Sequence, residues 1–294
     1  MNLQNFLVIA FSGCMWALFD LSRKKLADQL NPVFIVILLM ALQTPIFLTM
    51  SFWDQWSHPT LEYFAFAFVG ILLNCFANVM FLASVRLAPL SLAIPVLSLT
   101  PVFSAMGAYL FLREPLSLQQ IFGIAMVVSA MMYLGKIAFE SDGEAGPIQV
   151  HLKSDVGRGL MMMLGVSLIW AITPVLDKIC LMSAPASQHA FVQCAGIAFF
   201  LIFYQIKFLS FSDFLLKARA RGWLVASVAV ASLALVSQFW VMRLVSIGIF
   251  ESLKRSIGLL ASLSFGYLFF SEPLNLKKVS VAFILGTGIA VLLL

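Results

Sequence analysis

Charged residues are scarce in this chain, since Asp, Glu, Lys and Arg make up only 11% of its 294 residues. Hydrophobic residues make up 62%, and the mean hydropathy is +1.02. Soluble domains are about 45–50% apolar and have roughly twice this share of charge. A soluble protein of this composition would expose apolar patches that it could not shield from water. Most of the surface must therefore face lipid, and we predict an integral membrane protein.

The net charge of +5 does not indicate a nucleic-acid partner. The 18 Lys and Arg residues are scattered among short loops, as topology signals of membrane proteins are. The longest polar stretch, residues 140–155, is mildly acidic. We therefore expect a lipid bilayer as a partner and no nucleic acid.

Patterns that would bind a metal or perform catalysis are missing as well. The four cysteines have no CxxC spacing, and we expect them to be small buried hydrophobes; they are Cys14, Cys75, Cys180 and Cys194. The three histidines, His58, His151 and His189, lie far apart and have no ligand-spaced partners. No cluster of His, Asp and Glu has the spacing of an active site. We expect no metal, no cofactor and no enzymatic activity.

Long apolar runs dominate the chain. A helix that spans a bilayer needs about 20 mostly apolar residues. Ten such runs lie near residues 3–23, 33–52, 63–85, 91–112, 117–138, 157–177, 187–208, 221–245, 249–270 and 276–294. We predict an all-α bundle of ten transmembrane helices.

A polar stretch at 141–156 divides these spans into two sets of five. We interpret it as a linker between a first repeat at 1–140 and a second at 157–294. Because five is an odd number of crossings, the second repeat must be inverted relative to the first. Secondary transporters commonly have inverted repeats, with the substrate site near the middle of the membrane.

The two halves also share short motifs. The segment Arg113–Leu118 (REPLSL) matches Ser271–Leu276 (SEPLNL). Near the start of each half, a Trp-Ala pair is followed by a lysine eight residues after the tryptophan: Trp16 and Lys24, then Trp170 and Lys178. Such self-similarity at a long interval indicates a duplicated unit.

These doubled motifs on ten spans resemble the EamA-type transporters of the drug/metabolite transporter superfamily. The resemblance covers essentially the whole chain. It implies a ten-helix bundle in which helices 1–4 and 6–9 line a central cavity, in a bacterial cytoplasmic membrane. Members move amino acids, nucleotide-linked compounds, organophosphates and other metabolites, so the family does not name a substrate.

The densest group of charges inside a span is Glu251, Lys254 and Arg255, early in helix 9. An ionisable group within the bilayer requires a function or a partner. The Lys-Arg pair is similar to one in plastid triose-phosphate translocators, where such a pair holds an anionic group of the substrate. We expect an anion site here. In the other interpretation, Lys254 and Arg255 extend to the headgroups from a position near the helix end.

Two further lysines are candidate substrate ligands. Lys24 follows Asp20 by one turn of helix 1, and Lys178 is adjacent to Asp177 near the end of helix 6. At these helix ends, half-exposed ion pairs are the alternative to substrate binding.

The remaining candidates are neutral side chains inside spans. Trp16 and Trp170 lie deeper than interfacial tryptophans do, so they either line a cavity or fill the bundle core. Asn78 in helix 3 and Gln238 in helix 8 either contact substrate or hydrogen bond between helices.

We therefore expect a secondary transporter or exchanger of a small polar, anionic organic metabolite that works by alternating access. No Walker A motif is present, so a gradient or an exchanged metabolite would supply the energy. Asp20, Asp177 and Glu251 are the candidates for a coupling proton. A lipid flippase of the same fold is the alternative, and a membrane-embedded enzyme is a weaker one. Excess cations in the loops after odd-numbered helices place both termini outside, whereas the resemblance places them in the cytoplasm.

Overall fold

The computed structural model describes residues 3–54, 58–88, 93, 96–141, 155–205 and 218–270, and seven positions between 280 and 291. Nine α-helices and one 3₁₀ turn have described bounds, the described positions at 93, 96 and between 280 and 291 are helical as well, and no described residue is in a strand. In chain order the helices are α1 Leu3–Ala27, α2 Pro32–Trp53, α3 Leu61–Leu87, α4 Thr100–Leu112, α5 Leu118–Ser141, α6 Asp155–Cys180, α7 Ala186–Gln205, α8 Ala218–Met242 and α9 Ile247–Phe270.

Six of the described helices are long and apolar enough to cross a membrane, namely α1, α2, α3, α6, α7 and α8. Large apolar side chains cover much of the outside: Phe76, Phe111 and Phe203 are 65%, 75% and 73% exposed. Polar and charged side chains are instead buried within the bundle, among them Arg23 and Glu251. This arrangement confirms the prediction of a helical membrane bundle.

The ten-helix count remains a prediction. Most of the tenth predicted span, 276–294, lies outside the described residues, although all seven described positions there are helical. Residues 142–154 of the predicted linker lie outside them too, as does the second of the two matching motifs, Ser271–Leu276.

The fourth predicted span, 91–112, is not one uninterrupted α-helix, although Ala93 and Val96 are helical. A 3₁₀ turn at Leu97–Leu99 precedes α4, which has 13 residues and is about 20 Å long. Pro101 lies in the first turn of α4. Since proline has no backbone N–H to donate to the carbonyl four residues earlier, the α-helical hydrogen bonding is interrupted before it, at the 3₁₀ turn.

Arg113, Glu114 and Pro115 form the turn after α4. Arg113 ends the helix in the left-handed conformation, with φ of 53°, and its N–H and that of Glu114 both donate to the Ala108 carbonyl. Pro115 cannot continue the helix. The first copy of the Glu-Pro motif, Glu114-Pro115, thus lies directly after a helix end.

The helix–helix contacts made by the first half are repeated by the corresponding helices of the second half. Helix α1 packs against α8 and α9, while α6, its predicted counterpart, packs against α3 and α4. Helices α2 and α7 pack against each other, as do α4 and α9. The pattern is unchanged when each first-half helix is exchanged with its second-half counterpart. Helices of opposite halves therefore form the walls of the interior together.

Two of these crossings depend on glycine. A Cβ at Gly13 of α1 would lie 3.0 Å from Cβ of Ile257 in α9. A Cβ at Gly248 of α9 would lie 2.7 Å from Cβ of Ala105 in α4. Small residues let helices approach closely in a membrane, where packing drives association.

The cysteine prediction is correct for Cys75, Cys180 and Cys194, which are buried and unpaired. It is wrong for Cys14, which is exposed. The reason is that Cys14 lies on the outward face of α1, between the inward-facing Gly13 and the cavity residue Trp16.

Candidate functional site

A cavity of about 850 Å³, counting the part open to solvent, lies between the two halves of the bundle. Its described walls come from α1, α2 and α3 of the first half and from α6 to α9 of the second. No described residue of α4 lines it, although helix 4 was expected to do so. Seven of the nine predicted site residues line the cavity: Trp16, Asn78, Trp170, Gln238, Glu251, Lys254 and Arg255.

Arg23 is the most enclosed cation of the cavity, with 1% of its surface exposed. Its guanidinium forms an ion pair with Asp20, one turn earlier in α1. It also donates to Oδ1 of Asn78 in α3 over 3.3 Å. Three aromatic rings surround it, with centroids 4.3, 3.9 and 5.5 Å from Cζ: Phe19, Phe81 and Trp170. A compensated charge of this kind is held in place by several contacts at once.

Lys254 is the second cavity cation and is also compensated. Its ammonium is paired with Glu251, one turn earlier in α9, and donates to Oε1 of Gln238 over 3.1 Å. The rings of Trp16 and Phe250 lie 5.3 and 4.9 Å away. Lys254 is 7% exposed and lines the cavity, so it does not extend to the headgroups.

Arg255 is the third cation, and its ion pair is the loosest of the three. Its Nε lies 3.9 Å from Oε2 of Glu251, which is too far for a hydrogen bond. No described residue accepts a hydrogen bond from Nε, and Oε2 of Glu251 lacks a donor as well. The Arg255 guanidinium lies beside the Trp170 ring, 5.5 Å from its centroid. Buried polar atoms in native proteins nearly always have a partner, so these unpaired atoms point to a ligand or water in the cavity.

Asp177 lies on the α6 wall of the cavity and has a different set of partners. Its Oδ1 accepts hydrogen bonds from Nε2 of His189 over 3.2 Å and from Nε2 of Gln193 over 3.0 Å. Nδ1 of His189 lies 3.1 Å from the Tyr63 hydroxyl. No described Lys or Arg forms an ion pair with Asp177.

The other two predicted site residues, Lys24 and Lys178, do not line the cavity. Lys24 donates to the Val85 carbonyl at the end of α3, and Lys178 donates over 2.9 Å to the Val245 carbonyl after α8. The Val85 carbonyl is in the last turn of α3 and has no partner within that helix, and the Val245 carbonyl lies in the turn after α8, so each accepts from a lysine of another helix. Both lysines therefore tie helix ends together, at equivalent places in the two halves.

Lys178 also forms a second contact, with Glu114 in the turn after α4. The distance between Nζ and Oε1 of Glu114 is 2.5 Å. The other carboxylate oxygen of Glu114 accepts the N–H of Ile247, the first residue of α9, over 3.1 Å. The expected ion pairs of Lys24 with Asp20 and of Lys178 with Asp177 do not form. Asp20 pairs with Arg23, and Lys24 has a longer contact with Asp28.

Two residues of the site were missed in the sequence. Arg23 was not singled out because it precedes Lys24 and Lys25 at a predicted helix end, where loop cations are expected. His189 has no partner in the local sequence because its partners lie on other helices. An i, i+3 pairing of Asp20 with Arg23 was the available signal for the first, and for His189 there was none.

The fold and the cavity together define a class: an integral membrane protein of packed helices around a polar interior. Among the described residues, no three metal-ligating side chains come together. The model of the EamA-like transporter family matches residues 5–135. Residues 5–135 are therefore similar to the EamA-like transporters of the drug/metabolite transporter superfamily, whose members are membrane transporters.

One solved crystal structure, titled simply as that of a protein, superposes on the chain with a TM-score of 0.76. The similarity covers 100% of this chain and 99% of the other, at 15% sequence identity. It shows a shared fold. No curated protein matches the chain.

Proposed function

We propose that this protein is a secondary transporter that carries a small, polar, anionic organic metabolite by alternating access. The observation that favours an anion is Arg255, a cavity cation whose Nε has no hydrogen-bond partner among the described residues. The similarity of residues 5–135 to a transporter family supports the general activity, and the cavity supports the chemistry of the substrate.

The three cavity cations differ in how much of their charge is already engaged. Arg23 is paired with Asp20, and Lys254 is paired with Glu251. Arg255 shares Glu251 at the longer distance of 3.9 Å. A guanidinium presents a planar fork of donors that matches carboxylate and phosphate oxygens. Arg255 is therefore the residue best placed to bind an anionic group.

Alternating access is supported by the way the two halves meet. The cavity lies between them, and its walls combine α1–α3 with α6–α9. The exchange of contacts between equivalent helices fits a duplicated unit of inverted topology, in which one half rocks against the other around a central site.

The experiment is uptake by the purified full chain in proteoliposomes, with labelled carboxylates, sugar phosphates and amino acids as substrates. Arg255→Ala removes a charge-assisted hydrogen bond, which contributes about 1.5–3 kcal/mol. We expect a loss of roughly ten- to hundred-fold in apparent affinity for the transported anion. Arg255→Lys restores the charge without the fork and is expected to recover only part of it.

The matched control is Arg158→Ala. Arg158 lies in the first turn of α6 in an exposed pair with Asp155, and its side chain is 67% exposed. It should leave affinity unchanged. Unaltered affinity in Arg255→Ala, in protein that is folded to the same extent as Arg158→Ala, would contradict the proposed anion site.

A further inference from the structure

A chain of hydrogen-bonded titratable side chains leads from the cavity into the interior of the bundle. It begins at Asp177 on the cavity wall, continues through His189 and ends at the Tyr63 hydroxyl. Asp177, His189 and Tyr63 are 5%, 0% and 2% exposed. Helices α6, α7 and α3 each contribute one of them, so the chain exists only in the folded bundle.

The hydrogen-bond roles follow from the chemistry of the three groups. An ionised carboxylate only accepts, so Nε2 of His189 must donate to Asp177. In a neutral imidazole the other nitrogen is then an acceptor, and Nδ1 accepts from the Tyr63 hydroxyl. Addition of one proton gives an imidazolium in which Nε2 donates to Asp177 and Nδ1 donates to the Tyr63 oxygen. Both states are therefore fully hydrogen bonded at His189.

The other charged groups near these three hydrogen-bonded residues have partners of their own. Lys178 is paired with Glu114, and Arg243 of the segment after α8 donates to the Leu181 and Ala184 carbonyls. From α2, the capping Asp54 accepts from Ser187. Cys180 lies on α6 with Asp177, and Cys194 and Glu251 line the same cavity from α7 and α9, where Glu251 is paired with Lys254. Within the described part of the chain, His189 is thus the titratable group that is hydrogen bonded to Asp177.

We propose that Asp177 and His189 form a proton-binding site that loads one proton together with the transported anion. The ligand of this site is a proton, and the coupling rests on the anion transport proposed above. The step is a protonation only: the pair gains one proton and one positive charge, and no other bond forms or breaks. Histidine is the side chain that most readily changes charge between pH 5 and 8.

The charges of the cavity explain why proton and anion would bind together. The described cavity wall has three carboxylates and three cations: Asp20, Asp177, Glu251, Arg23, Lys254 and Arg255. With His189 neutral these charges sum to zero, and with the proton bound they sum to one positive charge. An uncompensated charge within a membrane is costly. A monoanion next to Arg255 returns the cavity to zero, so the loaded state favours a monoanion and the unloaded state does not.

The first test is direct observation of His189. The chain has three histidines, so His58→Gln and His151→Gln leave His189 as the only one. Full-length protein with ¹⁵N-labelled histidine is placed in lipid nanodiscs and followed by NMR from pH 5 to 9. We expect a change from a neutral tautomer to an imidazolium as the pH falls. Ring nitrogens that keep one protonation state throughout would overturn the proton site.

The second test measures coupling, with gluconate, pyruvate and isethionate as monoanions that stay ionised between pH 5.5 and 8.5. Quenching of Trp16 and Trp170 fluorescence, both of which line the cavity, reports binding. We expect at least one of the three anions to bind ten-fold or more tightly at pH 5.5 than at pH 8.5. In His189→Gln, whose amide can still bond to Asp177 and Tyr63, the two affinities should be equal.

The outcomes separate the two proposals. If His189 takes up a proton but anion affinity is the same at both pH values in the unmodified protein, coupling is wrong and the anion site stands. If none of the three anions binds at either pH, the proposed transport of monoanions is wrong, and the proposed coupling to a proton is wrong with it. A pH dependence that persists unchanged in His189→Gln would assign the proton to another group and overturn the role of this pair.

Discussion

The contact between Lys178 and Glu114 permits a quantitative test of how the two halves are held together. Glu114 belongs to the first half, whereas Lys178 and Ile247 belong to the second, and the Glu114 carboxylate binds both. We consider the single variants Glu114→Ala and Lys178→Ala and the double variant. Their side chains are 18% and 15% exposed, so the pair is only partly screened by water.

The magnitude follows from the contacts that each variant removes. Glu114→Ala loses the capping of the first N–H of α9, about 1 kcal/mol, and a charge-assisted hydrogen bond of about 1.5–3 kcal/mol. The sum is about 3 kcal/mol in the free energy of unfolding. Lys178→Ala loses the same ion pair together with the bond to the Val245 carbonyl. Because the ion pair is counted in both single variants, we expect the double variant to be about 2 kcal/mol less destabilised than their sum.

The assay is unfolding of purified protein in mixed micelles of increasing SDS content, followed by far-UV circular dichroism. The four proteins of the cycle are compared under the same conditions. Additive effects, with a coupling energy within about 0.5 kcal/mol of zero, would refute the reasoning and show that the two charges are solvated independently.

Three further outcomes are expected. Gly248→Ala should destabilise the protein by about 1–3 kcal/mol because the new Cβ would lie 2.7 Å from Cβ of Ala105. Gly258→Ala is the control, since a Cβ there has nothing within 4 Å and should not change stability. Equal melting temperatures of the two variants in detergent would contradict this. Lys254→Met should weaken substrate affinity in uptake assays, while Lys24→Met should lower stability with affinity unchanged; the reverse result would return Lys24 to the site. Finally, the charge distribution still favours termini outside the cytoplasm, and a C-terminal reporter that is active only in the cytoplasm should be silent.

Much of the fold was predictable because the bilayer imposes a strong pattern on sequence. Apolar runs of the required length identified the described spans, with helix ends shifted by a few residues. The exception is α4, where length and hydropathy suggested one continuous span. The backbone restriction at Pro101 acts locally and overrides the apolar composition.

The site was predictable where a rare charge stands in an apolar helix, as Glu251, Lys254 and Arg255 do. It was not predictable where adjacent residues of one helix differ only in the direction in which their side chains point around the helix axis. Arg23 and Lys24 are adjacent, yet a rotation of 100° per residue turns one into the cavity and the other to the Val85 carbonyl. His189 depends on Tyr63, 126 residues away in sequence, and no local pattern reports such a contact.

The pairing of charges within single helices has a consequence for how the protein enters the membrane during synthesis. Asp20 and Arg23 lie three residues apart in α1, and Glu251 and Lys254 lie three residues apart in α9. A single charge opposes insertion by about 2.5–3.5 kcal/mol at the centre of a helix and by less towards its ends, where these two pairs lie. Because each carboxylate already has its cation one turn away, α1 and α9 can leave the translocon with much of that opposition removed.

Asp177 differs, since its partners His189 and Gln193 arrive only with the next helix. We therefore expect α6 and α7 to be retained beside the translocon and released into lipid as a hairpin.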